Sequence, residues 1–373
     1  MVDWPGLLKW TLTQSDGTTA DTSIKPMTEE EKKWLQEAIE AYTFDEAKRM
    51  REILEELKTP EKVGGSEEEG ERRLTLVEEF TDLVEGLENA RDLIRMKVYD
   101  ILLNNMFNSQ YPEVRKQLYF VFASCNSLNT FVQETSVERG CFKLINCIIK
   151  ETSIASKEAA FAALSSLVRG ESLSIKRRFI DIDGLEFLLE LLKNDQVYNS
   201  NKIRIKVMTL LQDLVFYDDK LDYEDIIAFN KNSGISQKEV GNKTTQHISL
   251  KSDEEKKEGS SNNEKSQLAQ NENKENLASY KNAVKKKLLE KDFIDFGLKF
   301  ITEENLLALS SLRTAYFSIV INLLQFDKSY KPKGDYFERI EKFSAFLNNE
   351  SKQNDNLYGT ELDLLQNLLA LKN

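Results

Sequence analysis

The sequence predicts an all-α chain folded as a solenoid of helical repeats, and three observations carry that prediction. Apolar residues recur at i, i+3, i+4 and i+7, first as Phe80, Leu83, Val84 and Leu87, then as Leu118, Val121, Phe122 and Cys125. The same spacing returns as Ala160, Ala163, Leu164 and Leu167, and as Val207, Leu210, Leu211 and Leu214. Offsets of 38, 42 and 47 residues lie near the ~40 to 47 residue period of stacked helical repeats. The alternation expected of sheets is scarce, and only 5 prolines and 15 glycines interrupt 373 residues, which leaves room for many helices. Third, polar turns lead into short apolar helices: Arg139-Gly140 precedes Phe142 to Ile149, and Asp183-Gly184 precedes Leu185, Leu188, Leu189 and Leu192. Helix, turn and second helical unit is the arrangement of armadillo or HEAT stacks. Such stacks bind partners along a concave face.

Taken in order, residues 1–27 hold a short apolar cluster, Leu7, Leu8, Trp10 and Leu12, followed by a Gly, Ser and Thr stretch. They read as a flexible segment carrying a docking motif. Residues 28–73 form a charged helix and a loop: Thr28 with Glu31 makes a capping box, and one helix is expected to run to about Lys58, with Trp34 on a cap over the first repeat. Armadillo-like repeats are expected over 74–229. Residues 230–280 are rich in Asn, Lys, Glu, Ser and Gln with almost no large apolar residue, so they are expected to be a disordered insertion in an inter-helix loop. Residues 281–373 hold the remaining repeats and capping helices. Phe293-Ile294-Asp295-Phe296-Gly297-Leu298 echoes Phe179-Ile180-Asp181-Ile182-Asp183-Gly184-Leu185 with one residue fewer, and a fifth stripe follows as Tyr316, Ile319, Val320 and Leu323. A tail helix around Leu362, Leu365, Leu368 and Leu369 closes the stack. Lysines 285–287 read as a solvated patch.

Composition narrows the function classes. A net charge of −12 argues against nucleic-acid binding, because neutralising phosphates requires a basic face. The acidity is concentrated in residues 1–73, with 18 Asp and Glu against 11 Lys and Arg. No stretch reaches the ~18 apolar residues of a membrane span, and the amino terminus lacks a secretory pattern, so no membrane association is expected and the location is cytoplasmic. Cys125, Cys141 and Cys147 form no CxxC pair and read as reduced core cysteines. His247 is the only histidine and lies in a polar stretch, which removes His-based triads and His-rich metal sites. Neither G-x-x-x-x-G-K-[ST] nor G-x-G-x-x-G after a strand occurs. No catalytic residue, cofactor or metal is expected, and the chain is read as a monomeric binding protein and not an enzyme.

Three motifs carry a family resemblance. Residues 77–93, VEEFTDLVEGLENARDL, residues 163–169, ALSSLVR, with FIDIDGLEFL after them, and residues 202–215, KIRIKVMTLLQDLV, resemble the Fes and Hsp70-binding-protein family. The opening LLKWTLTQ resembles that family's amino-terminal segment. The family's members are cytosolic nucleotide exchange factors for heat shock protein 70. The resemblance implies that the curved repeats clasp one lobe of the chaperone's nucleotide-binding domain, promote ADP release and so release the client polypeptide. By position it assigns partner contacts to Asn89 and Ala90, at the end of the first stripe helix, to Arg169, and to Arg204 and Lys206 in the basic stretch. It also implies that Leu7, Leu8, Lys9 and Trp10 imitate a client for the chaperone's substrate-binding domain.

A plainer reading stands beside each assignment. Asn89 can cap a helix end where Ala90 merely fits, and Arg204 and Lys206 can be a solvated helix start. Arg169 can satisfy carbonyls at its own helix terminus, and the Leu-Trp cluster can dock on the protein's own solenoid. The alternative to an exchange factor is a general armadillo scaffold that binds extended peptides or other partners. Importin-like groove helices favour Asn where this chain has Ser166 and Asp213.

Overall fold

The computed structural model describes residues 28–42, 45–194, 200–217, 262–302, 306–353 and 357–372. The amino-terminal cluster at residues 7–10 and His247 lie outside them. Among the described residues every regular element is a helix. Those residues hold no helix long and apolar enough to cross a membrane. They also hold no group of three or more His, Cys, Asp or Glu side chains able to hold a metal.

The charged region is two helices, not one. Helix α1 spans Glu29–Tyr42 and α2 spans Glu46–Leu57, with Asp45 capping α2 by accepting from the Lys48 amide at 2.9 Å. Asp is a strong N-cap, and it restarts the helix inside a run that the charge pattern reads as continuous. The capping box is present: the Thr28 amide donates to Glu31 at 2.8 Å and the Glu31 amide to Thr28 Oγ1 at 3.2 Å. Arg73, buried on α3 (Glu67–Leu83), donates to the carbonyls of Leu57 and Thr59 and so closes the end of α2.

From there the chain repeats a short helix, a second short unit and a long helix. The leading helices are α4 (Leu87–Arg95), α7 (Thr130–Glu138), α10 (Leu173–Asp181) and the much longer α13 (Asn262–Glu290), each packed on the next. The second units are α5 (Tyr99–Asn108), a 3-10 turn with α8 (Leu144–Lys150), α11 (Gly184–Lys193), and α14 (Phe293–Phe296) with the 3-10 turn after it. The long helices α3, α6 (Pro112–Asn126), α9 (Ile154–Val168), α12 (Asn201–Phe216) and α15 (Ser310–Phe326) stack side by side in that order. Helices α16 (Tyr336–Gln353) and α17 (Gly359–Leu369) close the far end, where Arg313 of α15 and Glu361 of α17 form a buried ion pair at 3.0 Å.

All residues of the second to fifth stripes are fully buried, including the fifth set beyond the low-complexity stretch. A stripe at i, i+3, i+4 and i+7 faces one side of a helix, and here that side meets the neighbouring long helix. The first stripe differs. Helix α3 ends at Leu83, Val84 is its C-cap, and Leu87 starts α4. Glu85-Gly86 breaks the helix between the third and fourth apolar residues.

The second to first-unit junctions share one backbone device. Lys97, Gly140, Asp183 and Asp292 each lie two residues past the end of a leading helix and each has a positive φ, between 56° and 75°. This left-handed residue terminates one helix and aims the next. It also fixes the register of the last repeat: Asp292 is the counterpart of Asp183, so Phe293-Ile294-Asp295 opens a second unit, whereas Phe179-Ile180-Asp181 closes a leading helix. The sequence echo between the two runs is thus not the structural alignment.

Residues 230–280 are expected to be disordered, yet α13 begins at Asn262 and covers their last part. Two causes are visible. No Gly or Pro occurs from 262 to 290, and Tyr280, Val284 and Leu288 form a buried i, i+4, i+8 stripe that anchors the helix. Lys287 is not solvated either: its Nζ reaches Glu186 at 3.4 Å and the Ile180 carbonyl at 3.3 Å.

Candidate functional site

The carboxy-terminal ends of α6 and α9, the turns after them, and Lys206 from the amino-terminal half of α12 line a groove of about 380 Å³. Its floor is small, Ala123 from α6 with Ala162 and Ser166 from α9, so backbone stands close to whatever occupies it. Its rim carries Leu128, Arg169 and Lys206. The spacing of the stripes explains the placement, because the apolar face of each long helix turns into the stack and leaves the opposite, smaller face open.

The groove walls are tied together by buried polar contacts. Gln133 of α7 donates through Nε2 to the carbonyls of Asn126 at 2.8 Å and Ser166 at 2.9 Å, joining the ends of α6 and α9. These carbonyls are among those that a helix end leaves unpaired. A Cβ at Gly170 would displace the Gln133 amide and so disturb these two bonds. Buried Lys176 donates to the Gly170 carbonyl and lies 4.1 Å from the centre of the Tyr217 ring. The loop after α9 is therefore held on two sides.

Arg169, the C-cap of α9, pairs through Nε with Asp213 of α12 at 2.7 Å, each side chain 43% exposed. Partial burial raises the Asp213 carboxyl above its ordinary value, while the Arg169 guanidinium pulls it back down. Arg169 thus bridges two repeats instead of serving only its own helix end. Lys206 stands half-buried on the same rim. Arg204 does not line the groove. Its Nη1 donates to Asn201 at 3.2 Å in the first turn of its own helix.

Asn89 and Ala90 lie away from the groove, in the first turn of α4 and not at the end of the stripe helix. Ala90 is 1% exposed and belongs to the core, so it offers no surface for a partner. The helix break at Glu85-Gly86 starts α4 at Leu87, and in that new helix Ala90 lies on the buried side. Asn89 Nδ2 donates to the Leu83 carbonyl at 2.7 Å and to Glu46 at 2.5 Å, capping α3 and tying it to α2. Of the five assigned contacts in the described residues, the structure brings Arg169 and Lys206 to one groove. Sequence reasoning missed Leu128 and Gln133 as groove residues, and it noted Asp213 only as a departure from Asn. Asp213 lies one repeat, 47 residues, after Ser166, which was the available signal.

Comparison with known proteins follows the same lines. The SIL1/FES1/HPBP1 C-terminal domain matches residues 89–343, and the domain described as nucleotide exchange factor Fes1 matches residues 5–93. The chain is 26% identical over 218 residues to Hsp70-binding protein 1 of Rattus norvegicus, across 56% of this chain and 59% of that protein. The chain therefore spans less than two thirds of that relative's length. It is 23% identical over 240 residues to Hsp70 nucleotide exchange factor FES1 of Saccharomyces cerevisiae, across 63% of this chain and 77% of that protein. A designed armadillo repeat protein superposes with a TM-score of 0.50 at 12% identity, covering 87% of this chain and all of the designed one, which supports an armadillo-like fold. With one family domain spanning most of the repeats and a second spanning the front, this chain belongs to the SIL1/FES1/HPBP1 family.

Proposed function

We propose that this protein is a nucleotide exchange factor for heat shock protein 70, binding the chaperone's nucleotide-binding domain through the groove of α6, α9 and α12. The observation that carries the reading is the pairing of the family match over residues 89–343 with a small-floored groove whose rim bears Arg169 and Lys206. With Arg169 paired to Asp213, Lys206 on the rim favours an acidic group on the partner, and opposed charges of this kind set register and encounter rate. No reacting group is needed. If the factor binds the chaperone form that holds ADP poorly, linkage requires ADP to weaken the factor equally, at about 1.4 kcal/mol per tenfold. ADP departs, ATP enters and the client is released.

The finer parts of the reading are that the protein works as a non-catalytic monomer in the cytoplasm, and that Leu7, Leu8, Lys9 and Trp10 engage the chaperone's substrate-binding domain. The Fes1 domain match, which includes residues 7–10, supports a role for that end. Stopped-flow release of labelled ADP from the chaperone, with and without this protein, tests the proposal. Release is expected to accelerate with protein concentration and to saturate. No acceleration at saturating protein removes the reading.

A further inference from the structure

Leu128 breaks two rules at once. It lies in the turn between α6 and α7 with φ of 52°, in the left-handed region that favours Gly, Asn and Asp. It is also 94% exposed, so its side chain gains nothing from the core. The other described residues of positive φ are Gly, Lys or Asp. Asn126 and Asn129 flank the turn, so a residue suited to this backbone stands on either side of the one that is not. Three residues on, Phe131 in the first turn of α7 is about half exposed. Leu128 lines the same groove as Lys206, for which the described residues provide no ion-pair partner, whereas Arg169 is paired with Asp213.

Strain and exposure together are retained where the surrounding structure uses them. We propose that Leu128 is the apolar anchor of the chaperone interface, entering a hollow on a partner surface whose acidic group meets Lys206. This rests on the exchange-factor reading and deepens it. The occupant is argued from charge: with Arg169 paired, the rim carries one uncompensated cation beside an apolar projection, which fits a folded acidic surface with an apolar dimple. An exposed leucine becomes a binding determinant once a partner's hollow removes its apolar surface from water.

The inference gives opposite signs for stability and binding. Leu128→Asn relieves the backbone strain, so the melting temperature is expected to equal or exceed that of the wild type. Affinity for the chaperone's nucleotide-binding domain, measured by calorimetry on the full chain, is expected to fall by about tenfold or more, as for a buried hot spot. Lys97→Gly relieves the same strain at a turn away from the groove, and it is expected to leave affinity unchanged. Equal binding by Leu128→Asn and wild type overturns the anchor. If instead Leu128→Asn binds normally but exposes residues 1–27 to protease, the occupant is the chain's own front segment and the proposal is wrong. Failure of the wild type to bind the chaperone is a separate outcome that sinks the exchange-factor reading with it.

Discussion

Single residues here act mainly by closing helix ends across repeats, and Glu151 shows how that couples to pH. It follows α8, and both its carboxylate oxygens accept from Arg115 of α6, at 2.8 and 2.9 Å, while the Tyr119 hydroxyl donates at 2.9 Å. Burial pushes the Glu151 carboxyl up, but the bonds from Arg115 and Tyr119 outweigh it and hold the group below its ordinary value of 4.5. A depressed carboxylate contributes stability that is present above the unfolded value and is lost as pH falls through the folded one. Glu151→Gln is therefore expected to lose roughly 1–3 kcal/mol at neutral pH by leaving Arg115 without its bidentate partner. That difference should shrink as the pH falls below the ordinary carboxyl value of 4.5 and the wild type protonates, and parallel denaturation curves from neutral to acid pH check it. A constant difference would mean that packing, not charge, is lost. No sequence pattern announces this pair, because its members are 36 residues apart and meet only after the repeats stack.

At the scale of elements, the stripes were legible and so were two of the four joints, Arg139-Gly140 and Asp183-Gly184. Four long helices were readable from their apolar spacing because burial against a neighbour imposes a 3.6-residue period on any sequence. The joints depend on single residues in left-handed conformation; Gly140 and the Gly184 beside Asp183 mark two of them, whereas no Gly stands at Lys97 or Asp292. Polarity likewise hid α13. Its leading part reads as solvent-exposed, and only a sparse stripe commits it to helix. Tyr280 is the first anchor: it is 2% exposed, its hydroxyl donates to the Leu214 carbonyl at 3.3 Å, and its ring meets Tyr217 edge-on at 6.0 Å. Tyr280→Ala is expected to cost about 2–4 kcal/mol locally, as for a buried large-to-small change. Hydrogen exchange should then speed at residues 275–283 while α12 and α15 keep their protection. Unchanged exchange at 275–283 would show that α13 forms without this anchor.

The whole molecule was predicted well in its stacking and less well in its surface. Recognising that the fifth stripe belongs with the earlier ones correctly placed α15 in the row, since α12 packs directly on it. The groove's chemistry was harder to foresee, because whether a basic residue faces a partner or its own helix depends on rotation about the helix axis. Lys206 and Arg204 are two residues apart, nearly opposite on an α-helix, and only one of them reaches the groove.

The α12 to α15 seam has a consequence for how the gene could be divided. Nothing but packing need hold those two helices together, since the chain reaches from one to the other by way of residues 218–261 and α13. Two polypeptides, 1–230 and 255–373, expressed from separate messages should therefore recombine into one functional particle, much as complementing halves of a reporter do. Co-purification of an untagged second half with a tagged first half checks this, and independent elution of the two would count against it. In such a pair the strength of recombination becomes a dial on the proposed exchange activity, one that can be set by trimming the interface and not the groove.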